Sequence, residues 1–112
     1  MFKLLILFPQ PPQPPFFEQQ WSERLVPLCE ALPGLLRITV SHTQGGPAGP
    51  VPIYLVHELY FADRAALTAA MESPQGEAAG QMLMRLAPKA TLLFAEHMEE
   101  NVKTETGKPG NR

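Results

Sequence analysis

The segment Pro9–Pro15 constrains this chain strongly, because five of its seven residues are proline. Proline lacks a backbone N–H and fixes φ, so such a run fits neither a helix interior nor a central strand, and it favours a stiff polyproline II connector. The run separates the apolar residues 2–8 from the helical pattern that follows. Residues 2–8 are therefore predicted to form a short buried strand.

This apolar run is too short for an export signal or a membrane span. Five apolar residues follow Lys3, whereas a secretory signal needs about 7–15 and a spanning helix about 18 or more. The one cysteine, Cys29, excludes an intrachain disulfide and suits a reducing compartment. We therefore expect a soluble cytoplasmic protein without a membrane partner.

Apolar spacing predicts two helices and three more strands. The first helix, residues 15–32, starts at a proline and is expected to bend at Pro27. Its apolar residues recur on one face: Phe17, Trp21, Leu25, Leu28 and Leu32. The second helix, residues 63–86, is capped by Asp63 and restarts at Ser73-Pro74. The predicted strands cover residues 35–43, 53–61 and 90–98, with a Gly/Pro-rich loop at 44–52.

The order β-α-β-β-α-β predicts an α+β, ferredoxin-like fold: a four-stranded antiparallel sheet with both helices on one face. An open α/β sandwich of another topology is the alternative. The length of 112 residues fits one domain, which we place at residues 1–98. Residues 99–112 carry mixed charge and one aliphatic residue, Val102, and are predicted to be a disordered tail.

Strand alternation predicts that the sheet face opposite the helices is too apolar for water. Residues assigned to this open face are Leu5, Leu7, Tyr54, Val56 and Tyr60. A second copy packed sheet to sheet would cover them. The predicted partner is therefore another copy of the chain, with a mostly apolar cavity between the two sheets or between the sheet and the first helix.

Four polar residues on apolar strands are the candidate ligand-binding residues. Arg37 and Glu58 are expected on the open face, where they could anchor a carboxylate or phenolate or form an ion pair that fixes dimer register. Tyr60 could add ring surface for an aromatic ligand, or be an ordinary interface residue. His97 could act as a general base, or bond a backbone carbonyl at the strand end. The residues leave open whether any reaction is catalysed.

Other chemistries have little support. The net charge of −2 argues against a nucleic-acid partner, and no glycine-rich phosphate cradle is present. His42 and His57 lack metal-ligand spacing, so neither a metal site nor a cofactor is expected. Cys29 and Trp21 are predicted to be core residues.

Several short motifs, in order, resemble the EthD-like family of the dimeric α+β barrel superfamily, named for ethyl tert-butyl ether degradation. They span residues 2–98 and comprise Phe2-Lys3-Leu4-Leu5, Trp21, Pro27-Leu28, Leu32-Pro33-Gly34-Leu35, Glu58-Leu59-Tyr60-Phe61, Asp63, Ser73-Pro74-Gln75-Gly76 and Glu96-His97. The resemblance implies sheet-to-sheet dimers with a small-molecule pocket. The EthD-like family includes auxiliary proteins of oxidative degradation, and related folds act as isomerases, cyclases and cofactor-free monooxygenases.

Two positions depart from the family pattern. Leu25 stands where many relatives carry a histidine four residues after the tryptophan, and Pro9 stands where relatives often have a basic residue.

Three hypotheses follow. The first is a homodimer that binds a small hydrophobic or aromatic compound as an auxiliary of oxidative or degradative metabolism. The second is a cofactor-independent isomerase, cyclase or monooxygenase with Glu58 or His97 as base, and the third is a purely structural dimerisation module.

Overall fold

The computed structural model describes residues 1–102 and has the predicted order of elements. The strands are β1 (Phe2–Phe8), β2 (Arg37–His42), β3 (Leu55–Phe61) and β4 (Thr91–Glu96). The helical elements are α1 (Pro14–Gln20), a π-helical turn (Trp21–Leu25), α2 (Val26–Glu30), α3 (Arg64–Glu72) and α4 (Pro74–Leu86).

The strands form one antiparallel sheet in the order β2-β3-β1-β4. This is the predicted ferredoxin-like α+β fold. In the register, Leu5 on β1 lies opposite Glu58 on β3 and Leu93 on β4. Because directly opposed residues share a sheet face, the register determines which side chains meet the helices.

The core lies between the two central strands and the helices. β1 and β3 bury alternate side chains toward the helices, and these are Leu4, Ile6, Phe8, Leu55, His57, Leu59 and Phe61. The helices contribute Phe17, Leu25, Leu67 and Leu83 to the same cluster. Full burial of one such aliphatic or aromatic side chain stabilises a fold by about 1.5–3 kcal/mol.

The predicted first helix is interrupted one turn before Pro27. The N–H of Val26 donates to the carbonyl of Trp21, five residues earlier. Proline has no N–H, and its ring crowds the carbonyl four residues before it, so a widened turn at this point accommodates Pro27 without ending the helix. Trp21 and Leu25, at the two ends of this turn, both remain buried.

The second helical segment breaks at Ser73, as predicted. The Asp63 carboxylate caps α3 by accepting from the N–H of Ala66 at 2.8 Å. The Ser73 hydroxyl donates to the carbonyl of Ala70 at 2.6 Å and accepts from the N–H of Gly76 at 3.0 Å. One side chain therefore satisfies backbone groups at the end of α3 and the start of α4.

The edge strands are covered less than predicted. Alternation along the predicted strand at residues 35–43 puts its apolar residues Leu36, Ile38 and Val40 on the helix side, but Leu36 is 57% exposed and Val40 is 40% exposed. The reason is that α3 contacts the central strands β1 and β3, and β2 lies at the edge of the sheet.

Residues 99–102 follow β4 without regular secondary structure. Most of the predicted tail, residues 103–112, lies outside the described residues. Over residues 1–102, no helix combines the length and apolar character that a membrane span requires.

Candidate functional site

The open face of the sheet is polar at one end. Arg37 and Lys3 both lie opposite Tyr60 in the register, and Thr39 lies opposite Glu58. Three neighbouring strands therefore present these side chains together on the face away from the helices. We call Lys3, Arg37, Glu58, Tyr60, His97 and Glu99 the polar cluster.

The other end of this face is apolar. Leu5 lies opposite Leu93, and Leu7 lies opposite Val56. Leu5, Leu7 and Val56 are half-buried, and Leu93 is 46% exposed. These four residues, the apolar strip, lie directly beside the polar cluster, because Leu5 is also opposite Glu58.

Glu58 is held by two donors in the polar cluster. Lys3 Nζ lies 2.7 Å from Glu58 Oε1, and the Tyr60 hydroxyl donates to the same oxygen at 2.8 Å. Burial alone would raise the pKa of Glu58, but the hydrogen bonds from Lys3 and Tyr60, together with the charge of Lys3, outweigh burial and hold this pKa below its ordinary value. Conversely, the hydrogen bond to Glu58 raises the pKa of Lys3. The two side chains therefore form an ion pair at neutral pH.

Tyr60 forms the floor of the polar cluster. The Arg37 guanidinium carbon lies 4.4 Å from the centre of the Tyr60 ring, and Lys3 Nζ lies 5.3 Å from it. The His97 ring meets the Tyr60 ring edge to face, with centroids 4.8 Å apart. Tyr60 was assigned to the open face that a second copy would cover, but its own neighbours already leave it only 4% exposed.

Arg37 binds a carboxylate from the segment after β4. Arg37 Nη2 donates to Glu99 Oε2 at 2.5 Å, and His97 Nε2 lies 2.7 Å from the same oxygen. His97 Nε2 is also 3.4 Å from Arg37 Nη2. The hydrogen bonds from His97 and Arg37 lower the pKa of Glu99 to about 2.

All four predicted site residues therefore lie in the polar cluster, but Arg37 and Glu58 do not form the ion pair that was considered. Glu58 pairs with Lys3, and Arg37 pairs with Glu99. Their role as ligand contacts remains a prediction. Lys3 and Glu99 were missed, because one was assigned only to a strand and the other to a disordered tail. Strand alternation already placed Lys3 on the face of Leu5, whereas no sequence signal marked Glu99.

Tyr54 was assigned wrongly to the open face. Its ring packs edge to face on Phe17 of α1, with centroids 5.8 Å apart, and its hydroxyl donates to Glu18 Oε2 at 2.7 Å. His42 Nε2 lies 3.0 Å from the same Glu18 oxygen. The alternation failed here because Tyr54 precedes β3, which begins only at Leu55.

His57 lies in the core. It is fully buried, and Trp21 Nε1 donates to its Nδ1 at 3.3 Å. Burial lowers the pKa of His57 to about 4, so its imidazole is neutral at physiological pH. Its Nε2 has no hydrogen-bond partner within residues 1–102. Over the same residues, no three His, Cys, Asp or Glu side chains are grouped so that they could hold a metal ion.

The cavity between the sheet and the helices is small and apolar. It has a volume of about 50 Å³, and its walls include Leu4, Leu25, Cys29, Leu59 and Leu83. Burial raises the pKa of the Cys29 thiol to about 12, in keeping with a core residue rather than a nucleophile. None of the four predicted site residues lines this cavity. Of the two places expected for a mostly apolar cavity with these polar groups, the space between the sheet and the helices therefore does not contain them. A cavity between two sheets stays a prediction.

Comparisons with known proteins agree with this architecture. The EthD domain matches residues 10–85. An ethyl tert-butyl ether degradation (EthD) family protein from Bacillus halodurans is 34% identical, with a TM-score of 0.84 over 88% of this chain and 99% of that one.

Two more distant solved structures share the fold. SnoaB, a cofactor-independent oxygenase from Streptomyces nogalater, is 16% identical, with a TM-score of 0.65 over 88% of this chain and 94% of its own. A dimeric ferredoxin-like protein of unknown function from Jannaschia is 21% identical, with a TM-score of 0.62 over 86% of this chain and 97% of its own.

Proposed function

Because the chain belongs to the EthD family, we propose that it is a homodimer that binds a small hydrophobic or aromatic molecule between two facing sheets. We further propose that it acts as an auxiliary component of oxidative or degradative metabolism in the cytoplasm. The observation that carries this proposal is the open sheet face, where an apolar strip adjoins a structured polar cluster.

The apolar strip supports dimerisation. The helices occupy one side of the sheet, so nothing in residues 1–102 covers Leu93, which is 46% exposed beside Leu5. Burying apolar surface yields about 25 cal/mol per Å², and a second copy would bring an equal strip against the first. The dimeric ferredoxin-like neighbour has the same fold, which supports this arrangement.

The polar cluster supports ligand binding. Small-molecule sites combine apolar walls with a few convergent polar groups. Here Leu5 and Val56 supply apolar surface, the Tyr60 ring supplies a flat wall, and Arg37 supplies a planar donor that is 45% exposed. Such a combination suits an aromatic compound that carries an acidic or electron-rich oxygen.

An enzymatic role is the second candidate, and the shared fold of a cofactor-independent oxygenase favours it. Glu58 is a poor base in this arrangement, because Lys3 and Tyr60 hold its pKa down. His97 is the other candidate base, because its ring lies against Tyr60 at the rim of the cluster. Turnover that is lost in His97→Ala and retained in Glu58→Gln would support this role, whereas turnover retained in both variants would exclude the mechanism.

Ligand screening tests the binding proposal. Phenol, 1,4-benzoquinone and δ-valerolactone are titrated in thermal-shift and calorimetric measurements. A ligand at 100 times its Kd stabilises the folded state by about 2.7 kcal/mol. Arg37→Gln and Tyr60→Leu should weaken binding at least fivefold, whereas Arg85→Gln, an exposed control on α4, should bind as the wild type does.

Two results would contradict the proposal. One is the absence of stabilisation by every probe. The other is wild-type affinity in both Arg37→Gln and Tyr60→Leu. A ligand-free dimer with no affinity for small molecules would leave the purely structural role.

A further inference from the structure

Glu99 holds a position that an acidic ligand would take. Its Oε2 accepts from Arg37 Nη2 at 2.5 Å and lies 2.7 Å from His97 Nε2. The two partner residues lie on the Tyr60 ring, with Arg37 4.4 Å from its centre and His97 4.8 Å between centroids. Arginine pairs with carboxylates through charged hydrogen bonds and also stacks on aromatic rings. The position of the Glu99 carboxylate therefore suits the carboxylate of a benzoate-like anion, whose ring would meet the aromatic wall.

Removal of the Glu99 carboxylate would leave one positive charge of the polar cluster, that of Arg37, without an anionic partner. Lys3 and Glu58 neutralise each other within the sheet at 2.7 Å, with both side chains 16% exposed. The carboxylate that pairs with Arg37 belongs to Glu99, which follows β4 and lies outside the strands. Without Glu99, a cationic guanidinium would therefore face the open side of the sheet.

Glu99 is also the member of this cluster with the weakest anchorage. Its side chain is 60% exposed, and residues 99–102 form no regular secondary structure. The neighbouring Met98 is 83% exposed, so the segment does not bury apolar surface that would fix it in place. An incoming anion can thus replace Glu99 without disrupting the sheet.

We propose that residues 97–102 form a strap whose Glu99 carboxylate acts as an internal ligand on Arg37 and His97, and that the external ligand of this site is an aromatic carboxylate or phenolate that displaces it. This proposal rests on the proposed binding function of the open face. The affinity for the external anion is reduced by the fraction of molecules in which the strap is closed. A strap closed in about nine molecules of ten weakens anion binding about tenfold.

The test compares benzoate with its neutral isostere, benzamide, by isothermal titration calorimetry at one pH and ionic strength. The variants are Glu99→Gln and Glu100→Gln. Glu100 directly follows Glu99 and is exposed. Its variant therefore carries the same change of net charge without removing the contacts to Arg37 and His97. We expect Glu99→Gln to bind benzoate about tenfold more tightly than the wild type, and Glu100→Gln to bind it with wild-type affinity. Benzamide should bind each of the three proteins more weakly than benzoate binds Glu99→Gln, because it lacks the charge that pairs with Arg37.

Equal benzoate affinity in the wild type, Glu99→Gln and Glu100→Gln would overturn the strap and leave the binding function intact. Equal tightening in both variants would also overturn it, because net charge alone would then explain the effect. Binding of benzamide without binding of benzoate in any variant would overturn the anionic ligand class. Failure of both probes in all three proteins would overturn the inference, and the phenol, quinone and lactone screen would then decide the binding function separately.

Discussion

At the scale of single residues, burial decides what each histidine can do. His57 is fully buried against Trp21, and burial lowers its pKa to about 4 from an ordinary value of 6.5. The folded state therefore binds the proton of His57 less readily than the unfolded chain. His97 and His42 instead contact carboxylates near the surface, where Glu99 and Glu18 accept from them.

His57 predicts a specific loss of stability in mild acid. Its contribution is fully present above pH 6.5 and is lost as pH falls toward 4, because the unfolded state then takes up the proton first. In His57→Gln this pH dependence should disappear, so the difference in unfolding free energy between wild type and variant should change between pH 6.5 and 4. Urea unfolding at several pH values measures it.

His42→Gln serves as the control for this measurement, because His42 lies exposed at the end of β2. The slope between pH 6.5 and 4 should change more in His57→Gln than in this control. The same slope in wild type and His57→Gln would show that His57 is not the group responsible.

Residue-level prediction of the candidate site worked where alternation was strict. Arg37, Glu58 and Tyr60 lie inside regular strands, so counting by two placed them on one face. Tyr54 lies one residue before β3, and its side chain turns to α1 instead. The pairing of Arg37 with Glu99 was out of reach, because it depends on the path of an irregular segment.

At the scale of elements, local chemistry fixes the boundaries. Proline at the start of α1, Asp63 before α3 and Ser73-Pro74 between α3 and α4 were each readable in the sequence, and the structure has a helix start at each. The π-helical turn was expected only as a bend, because sequence spacing does not reveal whether a proline is accommodated by a kink or a widened turn.

The α3–α4 junction predicts opposite effects for two glycines. A Cβ on Gly76 would lie 2.2 Å from the backbone oxygen of Ala70, whereas a Cβ on Gly80 would meet nothing within 4 Å. Gly80→Ala should raise the free energy of unfolding by about 0.5–1 kcal/mol, since alanine favours the helix. Gly76→Ala should lower it by at least about 1–3 kcal/mol, because the backbone must shift.

Thermal and urea unfolding of the two variants measures these changes. The two substitutions are chemically identical and both lie in α4, so each is the control for the other. A Gly76→Ala protein as stable as Gly80→Ala would contradict the close approach of Gly76 to the backbone at the end of α3.

At the scale of the whole molecule, the helices of residues 1–102 cover one face of the sheet and leave the other open. The antiparallel order β2-β3-β1-β4 and the helix layer on one side followed from the pattern of elements. The extent of the open apolar surface could not be predicted from that pattern. Tyr54 packs on α1 instead, and Tyr60 is covered by its own neighbours, whereas Leu93 on the edge strand is part of the surface. Leu5, Leu7, Val56 and Leu93 remain as the surface through which two copies are proposed to meet.

A charge in this strip should separate the copies. Val56→Glu places a carboxylate in the centre of the proposed interface, where an unpaired buried charge costs several kcal/mol. Thr68→Glu, on the exposed side of α3, adds the same charge away from the strip. We expect Val56→Glu to be monomeric or aggregated, and Thr68→Glu to keep the wild-type assembly.

The molar mass of the wild-type protein in solution, measured by multi-angle light scattering across a range of concentrations, tests the proposed assembly most directly. The account predicts twice the mass of one 112-residue chain, with loss of that species in Val56→Glu and its retention in Thr68→Glu. A wild-type mass of one chain at all concentrations would contradict the account, because the open face would then have no second copy to enclose a ligand.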